Sequence, residues 1–316
     1  MSAPQDLASL LDRRVAALKK AHPELGEALD LQAQVIRAAL TSARPPEALP
    51  FPLPREQVAA RVREGVPLLH DQPAHIDLHF AADLFSRLVN ALQERNDAEL
   101  TARLDALVSA ATVGGLDPQR LFGEAFVHHD DHLREIALQT GVEPELLTTL
   151  ATLAVAPLLR AYAARLLPML ERLDEGTPEG FGWHRGYCPV CGGWPLIAEL
   201  RGIELAEYLR CAACGSGWRW PRLVCAYCGN DDYQSLSTLT IEGEQRFRIS
   251  VCDRCKGYLK VCNAFDPPPP ELVQLEDAVS VHLDVAAIER GYHRPGGSGF
   301  VIELAVPEEE WVEELT

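Results

Sequence analysis

Four Cys-x-x-Cys pairs constrain this chain more tightly than anything else in it: Cys188/Cys191, Cys211/Cys214, Cys225/Cys228 and Cys252/Cys255. They take eight of its nine cysteines, with gaps of 19, 10 and 23 residues between pairs. A pair on one tight turn presents two thiolates to one ion, and a second pair on a facing turn completes a tetrahedron. The first gap falls in the range of four-cysteine metal sites and the last lies just above it. Gly192, Gly215 and Gly229 directly follow the second cysteine of three pairs. A metal knuckle curls its backbone into positive φ there, which glycine tolerates. Cys252-Asp-Arg-Cys-Lys-Gly departs from this pattern, with its glycine one place later.

Three chemistries use such pairs. Structural disulfides need an oxidising compartment. The sequence offers no secretory signal for one: Arg13-Arg14 runs into Val15-Ala-Ala-Leu-Lys-Lys-Ala-His-Pro, with neither an apolar core nor a cleavage site. The expected location is cytoplasmic. A thiol-redox pair normally opens a helix in a βαβ unit, a pattern not seen here. Two closed metal sites are the favoured reading, one from Cys188, Cys191, Cys211 and Cys214, the other from Cys225, Cys228, Cys252 and Cys255. This sequential partition follows from ribbon architecture. Loop-closure entropy separates it from the interleaved and nested partitions by only about 1 kcal/mol. Four thiolates suit zinc and rubredoxin-type iron alike. Each ion would contribute on the order of 10 kcal/mol to a small fold. Cys262, outside the pairs, reads as a packed core thiol.

The 316 residues suggest two or three domains. Residues 1–175 read as an all-helical domain. Leu7, Leu10, Leu11, Val15 and Leu18 recur at helical spacing up to His22-Pro23, and a second helix is expected from Glu24 to Leu40. The proline-rich stretch Arg44–Pro54 is an extended connector. Asp117-Pro118 opens a helix that Gly141 closes. Glu143-Pro144 opens a long apolar helix toward Leu173, expected to kink or break at Pro157 or Pro168. The composition changes at Asp174–Gly182, and every cysteine and tryptophan lies beyond it. Residues 176–224 and 225–265 are expected as two tandem rubredoxin-like or zinc-ribbon modules, with Arg246–Val251 as a strand. Residues 266–316 form a C-terminal segment, with a short helix over Val279–Arg290 and a solvated acidic end. The fold class is α+β.

A net charge of −17 argues against general nucleic-acid binding. Only Arg201–Lys260 leans the other way, with nine basic and seven acidic residues. Its aromatics, Tyr208, Trp218, Trp220, Tyr227 and Tyr258, suit protein contact or packing around the knuckles better than base stacking. No window of 18 uninterrupted apolar residues marks a membrane span. His128-His129-Asp130-Asp131-His132 is the other dense ligand cluster. On one helix His128 and His132 would share a face, and a solvated polar face is the favoured reading. His70, His75 and His79 form a looser set, read the same way.

Tyr187-Cys-Pro-Val-Cys-Gly, Tyr208-Leu-Arg-Cys-Ala-Ala-Cys, Trp218–Gly229 and Val251-Cys-Asp-Arg-Cys-Lys-Gly-Tyr-Leu-Lys260 resemble the formate dehydrogenase accessory protein FdhE family. Leu283-Asp284 and Gly291-Tyr-His-Arg-Pro resemble its C-terminal portion. The resemblance spans roughly residues 185–295. It implies a non-enzymatic cytoplasmic assembly factor that contacts the catalytic subunit of respiratory formate dehydrogenase before export. It also implies rubredoxin-like iron binding. Neither nucleic acid nor membrane insertion is implied. A thiol-redox protein and a zinc-ribbon nucleic-acid module are the alternatives.

Overall fold

Apolar spacing and polar caps set the helices. The computed structural model describes residues 4–41, 53–95, 97–173 and 182–305. Most of the proline-rich connector, the Asp174–Gly182 boundary except Gly182 itself, and the acidic end lie outside them. Eight helices come first: α1 (Pro4–Ala21), α2 (Gly26–Thr41), α3 (Arg55–Glu64), α4 (Leu78–Gln93), α5 (Ala98–Thr112), α6 (Pro118–Phe126), α7 (Asp130–Thr140) and α8 (Pro144–Glu171). Asp77, Asp97 and Asp117 each accept a hydrogen bond from a first-turn amide. Gly65 and Gly141 close α3 and α7 in the left-handed conformation.

One expectation needs correction. The helix foreseen from Asp117 to Thr140 is two helices, broken at His128, which adopts φ +62°. The apolar spacing of Leu121, Ala125, Phe126 and Leu133 hides the break, because both pieces bury the same side. The long helix does not break: α8 runs through Pro157 and Pro168. Its burial against α4, α6 and α7 outweighs the lost amide donors. By length and composition α8 could cross a membrane, yet 61% of its most apolar window is buried inside the protein.

Six strands follow: β1 (Pro195–Arg201), β2 (Ala206–Cys211), β3 (Gly217–Arg219), β4 (Leu236–Leu239), β5 (Phe247–Cys252) and β6 (Tyr258–Asn263). They form one sheet in the order β3-β2-β1-β6-β5-β4. Each half is an antiparallel ribbon, and the halves meet where β1 pairs in parallel with β6, Ala198 opposite Val261. The short helix expected over Val279–Arg290 is α10 (Val281–Ile288), and a further short helix, α9 (Val273–Ala278), precedes it.

Strand alternation distributes the two cores. Ala198, Leu200, Leu209, Leu259 and Val261 face the helices α3–α8. Ile197, Phe247, Ile249, Val251, Tyr258 and Cys262 face the other way, onto α1, α2, α9 and α10. The sheet is therefore covered on both sides, and the first helical pair packs with the last.

The second face also carries buried charge. Glu199 pairs with Arg210 at 2.8 Å, and Glu276 holds Arg14 and Arg246. Lys260 is fully buried and reaches Asp277 at 2.8 Å and Asp284 at 2.7 Å. Tyr258 donates to Asp284 at 2.8 Å, and Arg294 bonds both carboxylates. Tyr258, Lys260, Asp284 and Arg294, which stand far apart in the motifs of the resemblance, thus form a single network that fastens β6 to α10.

Candidate metal centres

Each Cys-x-x-Cys pair folds as a knuckle whose backbone hydrogen bonds to itself. The Gly192 amide donates to Cys188 O and the Cys188 amide to Gly193 O; Gly215 to Cys211 and Cys211 to Ser216 repeat the pattern. The third knuckle does so through Gly229 to Cys225 and Cys225 to Asn230. Gly192, Gly215 and Gly229 have φ of +79°, +70° and +67°. In the fourth knuckle Lys256 takes the same conformation at φ +56°. The departure from the glycine pattern is thus in residue type and not in backbone shape.

The structure brings Cys188, Cys191, Cys211 and Cys214 together, and Cys225, Cys228, Cys252 and Cys255 together, all sulfurs within 4.8 Å in each group. In the first, Cys188–Cys214, Cys191–Cys211 and Cys191–Cys214 are 3.7, 3.5 and 3.6 Å apart. In the second, Cys225–Cys255 and Cys228–Cys252 are 3.6 and 3.8 Å apart. A tetrahedron of sulfurs about 2.3 Å from a central ion has edges of about 3.8 Å. The sulfurs fit that figure, and four protein ligands leave no coordination position open. Amides of Val190 and Gly257 donate to Cys188 and Cys255, each at 3.4 Å, as expected where sulfur carries negative charge.

The two centres differ in their surroundings. All four sulfur ligands of the first are buried. Among them Cys214 is held well below the usual thiol range by hydrogen bonds from Cys188, Cys191 and Cys211, whereas burial pushes Cys188 up. In the second, Cys228 is exposed and Cys255 half-buried. Asn230 donates to Cys252 at 3.7 Å.

Helical residues stand behind the first centre. His128 is buried, and its Nε2 has no hydrogen-bond partner among the described residues. Burial lowers its pKa to about 4, against the opposing pull of Cys214 and the Cys191 backbone, so it is neutral at pH 7. Arg160 of α8 is half-buried, in the field of Glu271 first and of Cys214 and Cys211 next, with its Nε shielded and unpartnered among the described residues. Four thiolates around a divalent ion carry two net negative charges, and Arg160 offsets part of them. The position of Arg160 inside an apolar helix was the only sequence signal for this role.

A C-terminal segment binds both centres. The amide of His293 donates to Lys256 O at 2.8 Å, and the amides of Gly299 and Phe300 to Gly192 O, each at 3.1 Å. Asp71 then donates to Glu303 O and Ala305 to Gln72 O. Leu68 and Leu69 donate to the carbonyls of Pro189 and Val190, so α3's following loop also grips the first knuckle.

The remaining candidates separate. Trp218, Trp220 and Tyr258 are buried, and Tyr227 donates to Tyr258 O at 3.1 Å, so these aromatics pack around the knuckles instead of forming a stacking platform. Cys262 is buried on β6, its pKa raised to about 12 by burial beside Glu276 and Glu199. His70 accepts the Glu303 amide at 3.0 Å, and the His75 amide donates to the Tyr162 hydroxyl at 2.7 Å. His128 and His132 do not share a face.

A crystal structure of the FdhE protein from Pseudomonas aeruginosa matches with a TM-score of 0.59 and 25% identity, over 95% of this chain and 97% of that one. A protein FdhE homolog of Aquifex aeolicus is 24% identical over 88% of this chain and 90% of its own length. The chain is thus similar to FdhE proteins over nearly its whole length. Protein FdhE of Escherichia coli is 30% identical over a narrower stretch, 47% of this chain and 46% of the relative. An FdhE homolog of Haemophilus influenzae is 32% identical over 36% of this chain. No family model matches. In this chain helices precede a sheet that carries both cysteine clusters.

Proposed function

We propose that this chain is a non-enzymatic accessory protein of the FdhE kind, serving respiratory formate dehydrogenase by binding its catalytic subunit in the cytoplasm. Its eight paired cysteines hold two metal ions, iron or zinc. The observation that carries the reading is the pair of closed four-sulfur centres, in a chain similar to an FdhE protein over nearly its whole length. A closed thiolate shell supplies shape instead of a reacting position. It fixes the knuckles, and the knuckles hold the strands and the C-terminal segment in place. Arg160 and His128 tie the first centre to the helices.

The test is capture from a host that makes formate dehydrogenase, with tagged wild-type protein beside a Cys188→Ser/Cys191→Ser variant. Wild type is expected to recover the catalytic subunit, and the variant to lose both the subunit and one metal equivalent. Failure of wild type to recover any formate dehydrogenase subunit, in cells shown to contain it, would falsify the partner. A folded, metal-free variant with full binding would remove the role of the centres.

A further inference from the structure

Glu124, His129 and His132 converge on one point away from the cysteine centres. Glu124 lies in α6, His129 is the residue before α7, and His132 is in its first turn. Nδ1 of His129 is 3.0 Å from Glu124 Oε2, and Nδ1 of His132 is 3.1 Å from the same oxygen. The two rings are 3.8 Å apart, centre to centre. The break at His128 builds this arrangement. In one unbroken helix, residues 124, 128 and 132 would fall on a single stripe. The break turns His128 inward, and His129 takes its place beside His132. His129 makes no side-chain cap to its helix; its ring is turned to Glu124 instead.

Imidazole nitrogen and carboxylate oxygen bind a divalent ion at about 2.0–2.2 Å, which spaces neighbouring ligand atoms by about 2.9–3.5 Å. The observed 3.0 and 3.1 Å fall in that range. The side chains are 23–44% exposed, so solvent reaches the point and further coordination positions are open. Two imidazoles and a carboxylate without thiolate select a borderline divalent ion such as zinc, cobalt or nickel. The cluster of His70, Asp71 and Glu303 is weaker, because it offers a single imidazole, through Nε2, beside two exposed carboxylates.

The geometry points to a further metal site: Glu124, His129 and His132 bind one divalent transition-metal ion in an open, exchangeable position. It differs in kind from the cysteine centres, having fewer ligands, none of them sulfur, and access to water. It also lies next to one of them in the chain. His128, one residue before His129, sits against the first centre, its Nε2 and Cys211 Sγ both within 3.5 Å of the place a Gly193 Cβ would occupy.

Zn²⁺ serves as the probe. The full-length protein, prepared with zinc, is titrated by calorimetry while its imidazoles are followed by long-range ¹H–¹⁵N NMR. One further equivalent is expected to bind, with the Nδ1 resonances of His129 and His132 moving to metal-bound positions. His129→Ala/His132→Ala should abolish that equivalent, and Glu124→Gln should weaken it at least about tenfold. Imidazole resonances that stay in place on adding Zn²⁺ overturn the proposal, as does the same equivalent persisting in the double variant. The wild-type resonances decide the matter even if a variant fails to fold. They also report on histidine alone, so a failure here is distinct from a failure of the cysteine centres.

Discussion

Gly192 and Gly229 hold equivalent places in two knuckles but face different neighbours. A methyl group at Gly192 would lie 2.1 Å from Phe300 O, whereas one at Gly229 would meet nothing within 4 Å. Alanine at Gly229 is expected to cost about 1–2 kcal/mol, from the left-handed backbone alone. Alanine at Gly192 carries the same strain and must also displace the C-terminal segment, so its cost should be clearly larger. Denaturant unfolding of the two variants measures the difference; equal costs would mean that the segment yields freely. Glycine after the second cysteine was legible because it reports a backbone shape. Lys256 shows the limit of that signal, since it takes the shape without the residue. Arg160 and His128 were not legible as neighbours of a cysteine centre, because only tertiary packing brings them there.

The two ribbons would protect a bound ion unequally. Every sulfur of the first is buried, while Cys228 in the second faces solvent. A chelator is therefore expected to strip the metal in two phases, the fast phase from the second centre. Cys228→Ser should alter only that phase, followed by metal release against time. A single common rate would contradict the difference in burial. The grouping of the sulfurs follows the sequential reading because each group closes within its own hairpins. The joining of the ribbons was not visible, as parallel pairing of β1 with β6 leaves no local mark. The break between α6 and α7 was missed for a related reason: His128 is neither glycine nor proline, and the apolar period continues across it.

The sheet organises the molecule by collecting α1 and α2 with α9 and α10 on one face. There Lys260, Asp277, Asp284 and Arg294 form the most buried polar contact between strand and helix. Lys260→Met leaves two carboxylates facing each other with one cation fewer and is expected to cost about 3–5 kcal/mol. A loss below about 1 kcal/mol in unfolding experiments would show that the network contributes little. A helical N-terminal region was readable, but the division of its helices between two faces of the sheet was not. The apolar stripes of α1 and α2 say that something covers them without saying what.

That arrangement bears on how the protein is made. Synthesis proceeds from the amino end, and early segments fold as they appear. α1 and α2 leave the ribosome before β5, β6, α9 and α10 exist, so Leu11, Val15, Leu29 and Ile36 have no cover at that stage. All eight paired cysteines likewise emerge before residues 293–305, which fasten the first and last knuckles. The thiols therefore meet the ions of the cell while their clasp is still untranslated.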